Sequence, residues 1–217
     1  RAIALDPTYT VAYVALGFTY LQEWTFQWSQ DPKTLEQAFA FAQKALALDD
    51  SLPTAHLLLG RVYQAKHKHE QAIAEAERAV VLAPSYANGY ATLGQILNAA
   101  GRSEDAIEVA EKALRLDPLN PVESLSALGN AYRLTERYEE AIATFKKLLN
   151  FRNHPVAHIF LAVMYSELGR EEEARAEAAE VLRDMPNFSL EGWRQKGWKD
   201  QTRLERDLEA LRKAGLK

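Results

Sequence analysis

Histidine and carboxylate side chains are the groups in this sequence best suited to chemistry, and their spacing decides what they could do. The run His-Lys-His-Glu at residues 67–70 is the densest group of potential metal ligands. It lacks the His-Glu-x-x-His spacing that brings two imidazoles together on one helix face. His154 and His158 are four residues apart, but Pro155 lies between them and starts a helix. We therefore predict no metal site, and we interpret His158 as a packed histidine.

Consecutive carboxylates at residues 139–140 and 171–173 are the other candidates for acid–base chemistry. Both groups open predicted helices, where acidic side chains are stabilised by the positive end of the helix dipole. No glycine-rich phosphate loop follows a strand pattern, because the glycines of the Leu-Gly pairs lie within helices. The sequence predicts no catalytic residue and no cofactor, and the chain is not expected to be an enzyme.

Composition excludes further classes of function. The 26 lysines and arginines are outnumbered by 30 acidic residues, so the net charge of -4 offers no excess positive field to a nucleic acid. Apolar runs end well before the roughly 18 residues that a membrane-spanning helix needs. The chain has no cysteine, which suits a reducing compartment. We expect no nucleic-acid partner, no membrane insertion and a cytoplasmic location.

The elements that must position these side chains recur along the chain. Gly60, Gly94 and Gly129 are 34 and 35 residues apart, and Pro84 and Pro118 are also 34 apart. A fixed period of this length indicates a repeated pair of helices that shares a core with its neighbours. The glycines lie where the two helices of a pair approach closely. The prolines stop the second helix and turn the chain.

The order Leu-Gly, Tyr, Ala and Pro within each unit resembles the tetratricopeptide repeat, over residues 1 to about 188. The expected fold is all-α: a right-handed superhelix, or α-solenoid, of antiparallel helix-turn-helix hairpins with a C-terminal capping helix. The resemblance implies a protein that binds other proteins. The predicted units are residues 1–7, the end of a truncated upstream repeat; 8–52, a repeat with an aromatic insertion; the repeats 53–86, 87–121, 122–154 and 155–188; and the capping segment 189–217.

The period ends before a final amphipathic helix. Leu204, Leu208 and Leu211 recur at spacings of 4 and 3 and form one apolar stripe. Asp200 is the predicted N-cap residue. Because a terminal repeat exposes the face that a neighbour would bury, this helix is predicted to cap the array.

Residues 182–191 and 199–216 carry a narrower resemblance. They are similar to the C-terminal arrays of bacterial class III adenylate or guanylate cyclases, and similar arrays also follow winged-helix DNA-binding domains. This resemblance implies a bacterial signalling protein with an upstream catalytic or DNA-binding domain. None of the cyclase metal-binding or base-recognising motifs occurs in this chain.

The first helices of stacked hairpins line a concave groove, where residues not required for packing are free to contact a partner. The predicted groove residues are Phe18, Leu57, Arg61, Gln64, Asn88, Gln95, Asn98, Asn130 and Arg133. Amides and guanidinium groups at the centre can donate hydrogen bonds to backbone carbonyls or to a carboxylate. The predicted ligand is an extended peptide or protein segment, acidic or C-terminal. The alternative is that these polar residues only solvate the groove.

Other interpretations of the sequence stay open. The aromatic insertion, with Trp24, Phe26 and Trp28, either covers the N-terminal end of the array or acts as an aromatic hook for a partner. The groove could also dock on the protein's own upstream domain. Self-association is a third alternative, through the apolar side chains of Val11, Val14, Phe18 and Leu21.

Overall fold

The computed structural model describes residues 2–26, 28–29, 31 and 33–217, and every regular element in that part of the chain is a helix. In chain order the helices are α1 (Ala2–Leu5), α2 (Thr10–Thr25), α3 (Thr34–Leu48), α4 (Pro53–Ala65), α5 (His69–Leu82), α6 (Ala87–Ala99), α7 (Ser103–Leu116), α8 (Val122–Leu134), α9 (Tyr138–Phe151), α10 (Pro155–Glu167), α11 (Glu171–Asp184), α12 (Leu190–Arg194) and α13 (Gln201–Lys213).

The helices pair in order as hairpins. Helix α2 packs on α3, α4 on α5, α6 on α7, α8 on α9 and α10 on α11. The first helices of the hairpins (α2, α4, α6, α8 and α10) also pack on one another in sequence. This arrangement confirms the predicted α-solenoid of helical hairpins. Among the described helices, none combines the length and the apolar character that crossing a membrane requires.

Small residues allow the two helices of a hairpin to approach closely. Ala72, Ala106 and Ala141 on the second helices are fully buried. A Cβ atom placed on Gly94 of α6 would lie 3.3 Å from a methyl group of Val109 on the paired helix α7, and also 3.3 Å from the Cβ of Ala127 on α8 of the next hairpin. This spacing is tighter than ordinary van der Waals contact, so the glycine column is explained by close packing.

Replacing Gly94 with leucine is expected to destabilise the fold by about 1–3 kcal/mol, because extra methylenes in a packed interface force neighbouring side chains and backbone apart. Urea unfolding followed by circular dichroism measures the change. Val81, which is 69% exposed, provides the control: leucine at that position should leave the midpoint close to wild type. A Gly94→Leu midpoint equal to that of the control would contradict the close-approach assignment.

The turns inside the hairpins share one backbone conformation. Gly101 and Gly169 have φ of 79° and 72°, and a glycine in this left-handed region ends each of these first helices. The equivalent turns hold His67 at 58° and Glu136 at 62°. The geometry is therefore set by the hairpin, and glycine makes it less costly without being essential to it.

The C-terminal helix packs on the last hairpin. Leu204, Leu208 and Leu211 are at most 2% exposed and belong to the core cluster around α10. The carboxylate of Asp200 accepts a hydrogen bond from the backbone N–H of Arg203 at 2.9 Å. Both the capping helix and its predicted N-cap residue are confirmed. The loop between α12 and α13 takes a path that the sequence did not predict.

Candidate binding cavity

Residues 195–200, here called the strap, run past the C-terminal ends of the first helices. The ammonium group of Lys196 donates hydrogen bonds to the carbonyl oxygens of Trp24, at 3.2 Å, and Thr25 at the end of α2. The backbone N–H of Lys199 donates to the carbonyl oxygen of Ala99, the last residue of α6, at 2.9 Å. The final carbonyls of a helix lack partners within it, and a cation is favourable there. Hydrogen bonds to these carbonyl oxygens hold the strap in place.

Gly197 brings the strap into direct contact with the end of α4. Its φ is 77°, and a Cβ atom at this position would lie 2.0 Å from the carbonyl oxygen of Gln64. No side chain fits that space. The next residue, Trp198, packs edge-on against Phe160 of α10, with ring centroids 6.3 Å apart.

Helix α13 follows the strap and contacts the C-terminal ends of α8 and α10. Arg133 of α8 is 1% exposed, and its Nη1 donates to both carboxylate oxygens of Asp207, at 2.9 and 2.8 Å. The Arg133 guanidinium also lies over the ring of Phe160, 4.5 Å from its centroid. At the end of α10, Arg203 bonds to Glu167 at 3.0 Å. The C-terminal segment thus contacts the last turn of every first helix.

The strap closes one side of the concave surface and leaves a cavity of about 440 Å³. The closed side, here called the floor, is formed by Lys196, which is 8% exposed, with Trp198 and Trp24. The opposite side is lined by residues at the starts of the first helices, of which Asn88 is exposed and Glu123 is half-buried. The cavity therefore resembles a cup, with its mouth at the helix starts.

Most of the predicted groove residues meet in this cavity. Its lining includes Phe18, Leu57, Arg61, Gln64, Asn88, Gln95 and Asn130. The other two, Asn98 and Arg133, lie beyond the strap and line a second cavity of about 220 Å³ against α13. The structure thus differs from the sequence prediction at Arg133, whose guanidinium is covered by the chain's own C-terminal segment. A buried guanidinium needs a counter-ion, and Asp207 provides it.

The position of the aromatic insertion also differs from one of the two roles predicted for it, that of covering the N-terminal end of the array. Trp24 and Phe26 line the cavity, and Phe26 packs against the core cluster of the C-terminal hairpins. They do not simply cover the N-terminal end of the array. Trp28 stacks on Phe26 with ring centroids 5.1 Å apart and is 60% exposed. Their use as a hook for a partner stays a prediction.

The positive charges on the cavity lining are not fully balanced by negative ones. Arg61 donates a hydrogen bond to the side-chain oxygen of Gln95, and the Gln95 amide donates to Glu123 at 3.2 Å. Burial lowers the pKa of Arg61, and the charge of Glu123 opposes that change. Burial also lowers the pKa of Lys196 to about 7, and the nearby charge of Arg61 adds to the effect. Within the described residues, neither cation forms a salt bridge.

Two polar atoms on the cavity lining have no partner in the described part of the chain. They are the side-chain oxygen of Gln64 and the Nδ1 of His154, and both are buried. Burial lowers the pKa of His154, so its imidazole is neutral near pH 7. Unpaired buried polar atoms are uncommon in folded proteins because each one costs stability.

Sequence comparisons agree with the fold. Family models described as tetratricopeptide repeat match residues 57–121, 124–155 and 155–180, which together are more than half of the chain. The chain belongs to the tetratricopeptide-repeat family. No curated protein matches it.

Several solved structures share this tetratricopeptide architecture. A thermophilic tetratricopeptide protein of Thermus thermophilus is 23% identical with a TM-score of 0.67, covering 90% of this chain and 98% of that one. Pseudomonas aeruginosa pilF is also 23% identical, with a TM-score of 0.63 and coverage of 96% and 88%. PilW, a type IV pilus biogenesis factor, is 18% identical with a TM-score of 0.66 and coverage of 94% and 88%. At these identities, the comparisons show the fold alone.

Three other histidines of this tetratricopeptide array, His67, His69 and His158, are not part of the cavity lining. His158 is 8% exposed, and its ring nitrogens bond to Glu177 and Asn153, which confirms the packed histidine. The rings of His67 and His69 lie edge to face, 6.3 Å apart. In the described ranges, no three His or carboxylate side chains are grouped so that they could hold a metal ion.

Sequence reasoning missed the strap residues of the tetratricopeptide cavity, above all Lys196 and Trp198. They lie after the last repeat, where the period no longer assigns positions to residues. One signal was present: a glycine and a tryptophan stand together in a linker between two predicted elements. Tryptophan in a linker is usually packed against something, because its large apolar surface is costly to expose.

Proposed function

We propose that this chain is a protein-interaction scaffold whose cavity accepts an extended segment of a partner protein, acidic or C-terminal. The tetratricopeptide fold itself supports a scaffold that binds proteins. The observation that carries the finer proposal is the pair of cations, Arg61 and Lys196, on the cavity lining without a carboxylate partner among the described residues. A carboxylate from a partner supplies that counter-charge.

The cup shape favours the end of a segment over its middle. A continuous segment needs an opening on both sides, but the strap covers the side at the C-terminal ends of the first helices. A segment that enters from the mouth stops at Lys196. The side-chain amides of Asn88 and Gln95 line the cavity between the mouth and Lys196, and they can form hydrogen bonds with the backbone of the segment.

Replacing Arg61 with methionine is expected to weaken partner binding about 10- to 150-fold, because losing a hydrogen bond to a charged group costs about 1.5–3 kcal/mol. The partner segments for this test come from selection of random peptides with free C-termini on the folded chain, followed by calorimetry. Arg102, an exposed arginine paired with Asp105 outside the cavity, provides the matched control Arg102→Met. Equal affinities for the two variants, or selection of basic segments, would remove the support for this proposal.

A second proposal is intramolecular docking. The chain's own C-terminal segment already lies on the concave surface, and Lys199 and Asp207 bond to first helices there. The cyclase resemblance implies a bacterial cytoplasmic signalling protein with an upstream domain. In this proposal that domain docks on the same concave surface. Binding of the separately expressed upstream domain to this chain tests the proposal.

Self-association has weaker support than the two proposals above, because some of the apolar residues predicted to mediate it are buried. Val14 and Leu21 are both 5% exposed, so their side chains belong to the core of the first hairpin. Val11 is 49% exposed and is close in sequence to the exposed Tyr9 and Leu16. Sedimentation at two concentrations separates a monomer from a dimer formed through this edge.

A further inference from the structure

We propose that the floor of the cavity is a binding site for a small organic carboxylate with an aromatic or apolar body, held by Arg61 of α4 and Lys196 of the strap. The site shares the cavity of the proposed function, but it requires no protein partner. A free acid and the last residue of a polypeptide both offer this chemistry, and the test below separates them.

The charges that face the cavity favour a monovalent anion. Its charged or titratable lining residues, in the part of the chain that the structure describes, are Arg61, Tyr86, Glu123, His154 and Lys196. Glu123 is the one acid in that set, and it accepts a hydrogen bond from the Gln95 amide. With His154 neutral and Lys196 protonated, the two cations exceed the acid by one charge. One carboxylate therefore neutralises the site.

The unpaired atoms indicate what lies next to the carboxylate. The side-chain oxygen of Gln64 accepts hydrogen bonds only, and it has no donor. This oxygen is covered in the structure, so a hydroxyl or N–H group beside the ligand carboxylate meets that need once the Gln64 side chain turns toward the cavity. The neutral imidazole of His154 can donate or accept at Nδ1, depending on its tautomer. A 2-hydroxy acid matches this set of groups better than a plain carboxylic acid.

The rest of the lining selects an apolar body. Phe18, Leu57, Trp24, Phe160 and Trp198 line the cavity together. Aromatic walls with a few polar groups, in a volume of about 300–1,000 Å³, are typical of small-molecule sites, and this cavity has about 440 Å³. Because the strap closes the floor, the body of the ligand must be short and extend toward the mouth.

The site is complete only when the strap is closed. Lys196 and Trp198 come from the strap, whereas Arg61 comes from the second hairpin. A ligand that touches both binds the closed strap and stabilises it by mass action. Burial lowers the pKa of Lys196 to about 7, and a bound carboxylate favours its charged form. Binding at pH 8 is therefore accompanied by uptake of up to one proton.

The test is calorimetry of the full chain at pH 8 with 3-phenyllactate, in two buffers of different ionisation enthalpy. We expect binding with proton uptake, at least tenfold weaker binding of the neutral amide of 3-phenyllactate, and weaker binding of 3-phenylpropionate, which lacks the hydroxyl. Lys196→Met is expected to weaken binding at least tenfold and to abolish the proton uptake. Lys199→Met is the matched control, because that side chain is exposed and only its backbone N–H holds the strap.

The comparison of acid with amide uses the wild-type chain, so it decides the matter even where a variant folds poorly. Equal binding of the two would overturn the proposal, and so would a Lys196→Met chain that binds as wild type. N-acetyl-Ala-Ala-Phe with a free carboxylate tests the other source. Binding of that peptide without any binding of 3-phenyllactate assigns the site to chain ends and also overturns the proposal. Because no partner protein is used, failure here is distinct from failure of the Arg61 test.

Discussion

Replacing Asp207 with leucine is expected to lower the free energy of unfolding by about 3–5 kcal/mol, because it leaves the Arg133 guanidinium buried without its counter-ion. The side chains of the pair are 1% and 6% exposed, so water cannot take over the role of the carboxylate. The Arg133→Met variant should be destabilised less, by about 1.5–3 kcal/mol for a lost hydrogen bond to a charged group, since Asp207 still accepts a hydrogen bond from the Nε of Arg203 at 3.0 Å. Urea unfolding of the two variants measures both effects.

The double variant Arg133→Met with Asp207→Leu isolates the cause. Exchanging a buried ion pair for apolar residues of similar size is often nearly neutral, so the double variant should recover most of the stability that the Asp207→Leu variant loses. Arg137 is a matched control: it also pairs with a carboxylate, Glu140, and lies over a ring, that of Tyr132, but it is exposed. Arg137→Met should change stability little. A single Arg133→Met variant as stable as this control would contradict the structural role of Arg133.

The Arg133–Asp207 pair also marks the limit of sequence reasoning. The period placed Arg133 on the concave surface, and it does lie there. Its partner is 74 residues away, in a segment that does not repeat, and nothing in a periodic pattern relates the two positions. The same holds for Lys196, whose acceptors are the carbonyls of Trp24 and Thr25 at the other end of the chain.

Features that depend on neighbouring residues were predicted well. The close approach at Gly94 and the N-cap at Asp200 follow from local backbone geometry and from the spacing of residue types. The cavity depends both on the repeated pattern and on contacts between residues that are distant in sequence. Its wall, including Arg61 and Gln95, repeats with the hairpins, whereas its floor is an added segment that folds back on them.

The second large effect is expected at the strap itself. Replacing Gly197 with alanine puts a methyl group within 2.0 Å of the Gln64 carbonyl oxygen, in a backbone conformation with φ of 77° that alanine disfavours. The contacted atom belongs to the backbone of α4 and cannot move aside. We expect the strap to open. The loss includes two hydrogen bonds of the Lys196 ammonium, each contributing about 1.5–3 kcal/mol, and one neutral hydrogen bond of the Lys199 amide, contributing about 0.5–1.5 kcal/mol.

Hydrogen exchange measures the opening at one atom, the backbone N–H of Lys199, which is protected by the carbonyl of Ala99 only while the strap is closed. Gly169→Ala is the matched control, because its φ of 72° is nearly the same but no atom lies within 4 Å of the added methyl group. That variant should show only the cost of the backbone conformation, about 1–2 kcal/mol, with the Lys199 amide still protected. If Gly197→Ala leaves this amide as protected as the control does, the strap does not depend on contact with α4. If the amide exchanges freely while α13 stays folded, the floor of the cavity is a separate closing element, and the ligand proposed for the cavity must bind and leave with it.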